Sequence, residues 1–294
     1  MQIAHGDEVP IECNGGGVRT GKVGKQILLS GDDNSPGNFR FGLFHQYGDF
    51  ESPRHRHNFC QFRYELEGLC NYGSDGKLSP GTVGYFPEGV YYGPQGPDTD
   101  TTYTAALQFG GPGGQGLLTN AQTAAAKKEL LKIGTFEGGV FRRNEGVPGK
   151  KNMDGYEAVW EQVAGRKLVY PEAQYGAPVL MHLENYTWLP LEGSPGVSIK
   201  AMATFTDCNI PCAAYLLEPG STFVANARGV YLVLSGHGAL EGETFRKYTA
   251  LYLDTDETAA FKADQTSEIL LMGMPNVRDM LPDQMPVLHR EAAE

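Results

Sequence analysis

From Phe39 onward the apolar residues come in short runs that alternate with polar ones, with Gly or Pro breaking the pattern at intervals of roughly ten residues. The runs "FRFGLFHQYG", "FCQFRYELEG", "TVGYFPEG" and "TTYTAALQFGG" read as strands. After residue 170 the same rhythm returns in "APVLMHLENYTWLPL", "VSIKAMATF", "CAAYLLEPGSTFV", "GVYLVLSGHGAL", "YTALYLDT" and "SEILLMG". Such spacing predicts an all-β chain of sandwiches or small barrels.

Two segments between these groups change period. "TNAQTAAAKKELLKIG" has Thr119 or Asn120 as a cap and Gly134 as a stop. "DGYEAVWEQVAG" has Asp154 as a cap, Tyr156, Val159, Trp160 and Val163 on one face, and Gly165 as a stop. The expected organisation is an N-terminal arm over 1–35 with one strand, "KQILLS", a β-domain over 36–117, a helical connector over 118–170, a second β-domain over 171–282, and a tail over 283–294. "YELEG" in the first half is echoed by "YLVLSG" about 165 residues later, which predicts duplication of one β-domain.

Composition narrows the function. A net charge of −11 opposes nucleic-acid binding, which needs a basic surface. No run approaches the ~20 apolar residues of a membrane span, and the N-terminus has no signal-peptide core. The five cysteines are scattered; Cys208 and Cys212 have no second pair to complete a zinc site. The expectation is a cytoplasmic protein with a small-molecule ligand. The glycine-rich "GGPGGQG" lacks the spacing of a phosphate-binding loop and reads as a flexible connection near a barrel mouth.

The chemistry concentrates in "SPRHRHNFCQFRYELEG". On an extended chain His55 and His57 point to one side, an arrangement suited to a divalent transition metal. In the following strand Gln61, Arg63 and Glu65 share one face, and Phe62, Tyr64 and Leu66 the other. The segment resembles the first motif of the cupin superfamily, H-x-H, three or four residues, E, six residues, G. This chain reads His55-Arg56-His57, three residues, Gln61, six residues, Gly68. The second motif, G, five residues, P-x-G, two residues, H, is matched by Gly81, Pro87-Glu88-Gly89 and then Tyr92. With its internal echo, the chain resembles a bicupin, two double-stranded β-helix (jelly-roll) barrels in tandem, with the metal motif kept in the first.

The resemblance implies one divalent transition-metal ion per chain, iron foremost, with copper, nickel or manganese as alternatives, on His55 and His57. Gln61 and Tyr92 stand where the family has a carboxylate and a histidine. Gln61 is then a ligand through its amide oxygen or orients a histidine or water, and Tyr92 is a ligand or a pocket wall. Arg63 and Glu65 are either a mutually satisfied ion pair or a functional pair, Arg63 holding a substrate anion and Glu65 acting as general base, with Glu65 or Tyr92 handling the proton. His45, Gln108 and Tyr91 are further candidates for substrate contact. The implied activity is a metal-dependent oxidoreductase, a dioxygenase acting on a small organic molecule; a non-oxidative isomerase, lyase or decarboxylase and a non-enzymatic binding bicupin stand as alternatives. No His, Asp or Glu falls between Gly220 and Gly236, so the second barrel is expected to be structural. A homodimer is compatible with this class.

Overall fold

The computed structural model describes residues 1–15, 20–31 and 37–276; residues 32–36 of the expected loop and the tail 283–294 lie outside them. Two seven-stranded antiparallel sheets dominate. The first runs Val179–His182, Thr82–Phe86, Cys60–Glu67, Thr101–Phe109, Phe39–Tyr47, Lys22–Ser30, Glu12–Gly15. The second runs Gln2–His5, Thr249–Leu253, Gly229–Ser235, Ser267–Gly273, Ile210–Leu217, Val197–Phe205, Leu189–Pro190. The two orders correspond strand for strand, and the "YELEG" and "YLVLSG" strands take the same third place. A smaller sheet accompanies each large one, Lys77–Leu78, Cys70–Asn71 and Gly96–Pro97 in the first half and Thr222–Ala225, Ala259–Ala263, Gly238–Leu240 and Glu243–Phe245 in the second.

Sheet membership crosses the boundaries expected at 36 and 171. Gln2–His5 pairs with Thr249–Leu253 of the second barrel, and Val179–His182 pairs with Thr82–Phe86 of the first. Each barrel thus takes its outermost strand from the segment leading into the other. Both visiting strands end in a histidine opposite a threonine: His5 Nδ1 lies 2.9 Å from Thr249 Oγ1, and His182 Nδ1 lies 3.0 Å from Thr82 Oγ1.

The outer faces of the two large sheets pack on each other. Phe62, Tyr85 and Leu107 of the first barrel share one core with Phe205, Ile210 and Leu270 of the second. Tyr85 stacks on Phe205 with ring centroids 3.9 Å apart, and Phe62 meets both rings. The apolar wall expected on the Cys60–Glu67 strand therefore seals against the second barrel. The interior of the second barrel is filled by Tyr231, Phe223, Phe245, Phe261 and aliphatic neighbours.

The connector holds the two expected helices, Asn120–Leu130 and Gly155–Ala164. Thr119 caps the first in a reciprocal pair with Gln122, and Asp154 caps the second by accepting from Tyr156 and Glu157. Gly165 closes the second helix at φ 64°, whereas Gly134 is no stop: the first helix ends at Leu130, and Gly134 opens a strand. That strand belongs to a small sheet, Gly134–Glu137, Val140–Arg143 and Asn152–Asp154, turned by Gly138 and Gly139 and absent from the sequence-based expectation.

Phe62→Ala is expected to cost about 3–5 kcal/mol, the range for emptying a buried aromatic position. Denaturant unfolding checks this, and an unchanged midpoint would contradict a shared inter-barrel core.

Candidate functional site

The two motifs meet through the backbone. His55 and Tyr92 exchange N–H···O bonds of 3.0 and 2.9 Å, and the Gly89 N–H donates to the His57 carbonyl at 2.8 Å. Gly89 sits at φ +79°, and a Cβ there would approach the Pro171 carbonyl to 2.5 Å, so the P-x-G glycine has a steric reason. His55 and His57 lie on an extended segment ahead of the strand Cys60–Glu67, not on a regular strand, yet their rings converge with Nε2 atoms 3.1 Å apart. His55 Nδ1 lies 2.6 Å from the Pro53 carbonyl, an obligate acceptor, so this nitrogen carries the hydrogen and Nε2 presents its lone pair in the neutral ring.

Gln61, Gln108 and Arg40 line up across three adjacent strands. Arg40 donates to Gln108 Oε1, and Gln108 donates to Gln61 Oε1 at 3.0 Å. Gln61 donates in turn to the Tyr92 hydroxyl at 3.0 Å. Arg63 joins from the same face, donating to Gln61 Oε1 (3.1 Å), the Tyr92 hydroxyl (3.3 Å), the Tyr72 hydroxyl (2.8 Å) and Gln95 Oε1 (2.7 Å). All four acceptors are neutral.

These groups border a cavity of about 200 Å³ lined by His55, His57, Arg63, Gln95, Gln108 and Lys25, with Thr104, Ala106, Phe44 and Phe50 among the rest. Gly84 and Ala106 flank Arg63 on its two neighbouring strands, and Gly42 follows beyond Ala106. Ala106 borders the cavity, whereas a Cβ at Gly84 would meet Phe86, Leu180 and Leu78, and one at Gly42 the Gln26 carbonyl. No Asp or Glu lines the cavity among the described residues. Glu65 is fully buried behind Thr104, whose hydroxyl donates to Oε2 at 2.9 Å, while Oε1 has no partner. Burial raises its pKa to about 8, against the lowering effects of the Thr104 hydrogen bond and the Arg63 charge, and the hydrogen bonds of Arg63 go to Tyr72, Gln95, Gln61 and Tyr92 instead. Burial also lowers the Lys25 pKa.

Of the remaining candidates, Tyr92 lies behind the imidazoles, its ring centroid 4.5 Å from that of His55. His45 is turned away from the cavity and stacks on Tyr103 at 3.9 Å. Tyr91 is exposed, with Arg56 over its ring. Lys25, Arg40, Tyr72 and Gln95 were not anticipated. Gln95 follows Tyr92 closely, and Lys25 alternates with Val23 on its strand, so those two had a local signal; Tyr72 had none. "GGPGGQG" lies against Glu88 through the Gly113 N–H, away from the imidazole cavity.

The donor set decides how a metal would fit. Two imidazole nitrogens converge, but both acceptor directions of Gln61 Oε1 are taken by Arg63 and Gln108, its amide nitrogen faces Tyr92, and the Tyr92 oxygen receives Arg63 and Gln61. Among the described residues no three His, Cys, Asp or Glu side chains form a metal-holding group. The residues present therefore do not fit a closed four-donor centre.

The fold is that of bicupins. The chain is similar to the solved structure of a candidate dioxygenase from Nostoc punctiforme, with TM-score 0.63 and 10% identity over 94% of this chain and 83% of that one. It is also similar to the oxalate decarboxylase of Bacillus subtilis (TM-score 0.52, 13% identity, 93% and 76% covered). A third likeness is to the Lactobacillus farciminis oxalate decarboxylase–formate complex (TM-score 0.53, 11% identity, 94% and 86% covered). No family model and no curated protein matches the sequence. At these identities the likeness establishes the fold. No helix among the described residues is long and apolar enough to cross a membrane.

Glu65 and Glu88 both have pKa values raised from 4.5 to about 8 by burial. Their protonated forms are favoured in the folded state, so stability is greatest below pH 4.5 for these groups and falls as pH rises toward 8, by a few kcal/mol for each. Thermal unfolding between pH 5 and 9 is expected to show this fall, reduced in Glu65→Gln and reduced further in Glu65→Gln/Glu88→Gln. An identical pH profile in all three proteins would remove the assignment.

Proposed function

We propose that this bicupin binds a compact organic anion, a carboxylate foremost, in its first barrel and exchanges a proton with it through the His55–His57 pair. The observation that carries the reading is Arg63, a permanent charge whose hydrogen-bond acceptors are all neutral, in a cavity that also receives Lys25 and no carboxylate. Hydrogen bonds satisfy its donors but leave its charge uncancelled. An anion about 4 Å away gains about 4 kcal/mol of Coulomb energy at an effective dielectric of 20, before the cost of leaving water. Glu65, protonated below about pH 8, does not compete for that charge.

The cavity of about 200 Å³ is smaller than sites for drug-sized molecules, which run to roughly 300–1,000 Å³. A ligand of few heavy atoms suits it, in keeping with the oxalate and formate of the fold neighbours. The Pro53 carbonyl fixes the hydrogen on His55 Nδ1, and a neutral pair then shares the His57 hydrogen between the two Nε2 atoms. Such a pair accepts or returns one proton beside the bound acid. Gln95 and Gln108 supply oriented amides on the same wall.

The 3.1 Å separation of the Nε2 atoms favours a second reading, one divalent transition-metal ion, iron foremost, serving an oxidoreductase. Two nitrogens at about 2.1 Å from one ion lie about 3 Å apart.

Calorimetric titration with formate, oxalate, malonate and benzoate, on protein whose metal content has been measured, tests both. A small carboxylate is expected to bind, about 5–10-fold more weakly in Lys25→Met and 10–100-fold more weakly in Arg63→Gln, the range for losing a charged partner. Unchanged affinity in both variants would end the anion reading. Near one equivalent of metal, lost in His55→Ala/His57→Ala, would establish the second and make oxygen consumption the next assay.

A further inference from the structure

Lys25 reaches the first-barrel cavity from strand Lys22–Ser30, where it stands in register with Phe44 and, one strand on, Thr104. All three border the same space as Arg63 and the imidazole pair. Among the described residues no hydrogen bond or ion pair holds the Lys25 side-chain nitrogen. The charged groups that bear on it are Arg40 from strand Phe39–Tyr47, Lys127 from helix Asn120–Leu130 and Glu12 from strand Glu12–Gly15. Arg40 donates to neutral acceptors, Gln108 Oε1 and Asn120 Oδ1, and its charge stays uncancelled. Glu12 is exposed. Burial first, then the two neighbouring cations, disfavour the ammonium and hold the Lys25 pKa below its usual value. A desolvated amine beside another cation is the setting in which lysine becomes a nucleophile toward carbonyl groups.

We propose that Lys25 is a nucleophile that holds a small 2-oxo acid as an imine, with the carboxylate of the acid drawn toward Arg63. The carboxylate contact rests on the anion binding proposed above. The step balances without a further reactant. The amine lone pair forms a C–N bond to the carbonyl carbon while the C=O π pair moves to oxygen. Both hydrogens of the neutral amine then leave with that oxygen as water, which gives C=N. The His55–His57 pair borders the same cavity and carries a proton from nitrogen to the departing hydroxyl. A cavity of about 200 Å³ suits a molecule the size of glyoxylate or pyruvate.

The test incubates the full chain with pyruvate or glyoxylate and cyanoborohydride, which reduces an imine to a stable secondary amine. Peptide mass spectrometry then locates the adduct. One adduct per chain is expected, on Lys25, saturating with the concentration of the 2-oxo acid. Lys25→Arg keeps the charge but has no amine to condense; it is expected to lose the adduct while still binding malonate in calorimetry. Arg63→Gln is expected to move saturation to roughly tenfold higher concentration, the effect of losing a charged partner. No adduct on a wild type that binds formate or malonate would overturn the imine and leave the anion site standing. Absence of both would remove both. Unsaturable labelling spread over exposed lysines such as Lys262 would also overturn the proposal. Saturation unchanged in Arg63→Gln would overturn the carboxylate contact.

Discussion

Arg63 brings a permanent charge into the first barrel on a strand whose opposite face is pressed against the second. Tyr72, Tyr92, Gln61 and Gln95 converge on its terminal nitrogens. Each is neutral, so each satisfies a donor without cancelling the charge. This requirement also accounts for the glutamine at position 61. Its oxygen takes hydrogen bonds from Arg63 and Gln108 while its nitrogen donates to Tyr92, a division of roles that a carboxylate, with no donor when ionised, could not reproduce.

The two large sheets share one strand order, but the interiors they enclose differ. In the first barrel Arg63 and its register neighbour Ala106 border a cavity. In the second, Leu251, Tyr231 and Leu271 stand in register within a buried cluster of aromatic and aliphatic side chains. The second barrel packs against the first. It backs the Cys60–Glu67 strand with Phe205 and its neighbours, and the exchange of edge strands makes each barrel incomplete without the other.

One strand therefore divides two cavities of opposite character. Its inner face meets the cationic pocket of Arg63 and Lys25; beyond its outer face, at Cys60 and Tyr85, lie Glu88 and Asp207. The P-x-G turn touches both, since Gly89 holds the His57 carbonyl and Glu88 borders the acidic cavity.

What could be read along the chain was whatever depends on local spacing. Period-2 runs, the Asp154 and Thr119 caps, the paired histidines and the glycine–proline frame are all set by neighbours a few residues apart, and from these the bicupin architecture and the imidazole pair followed. The packed wall of Phe62 and Tyr64 was legible for the same reason. The partners of that wall were not, because they lie more than a hundred residues away. Nor could spacing show that His45 turns outward onto Tyr103, that Tyr72 reaches Arg63 from the loop after Cys70–Asn71, or that the first strand crosses to the second barrel. Those depend on register and on how two sheets meet, and hydrogen bonds between distant strands carry no signature in either sequence alone. Tertiary structure decided that Gln61 and Tyr92, at the carboxylate and histidine places of the motif frame, accept hydrogen bonds from a guanidinium.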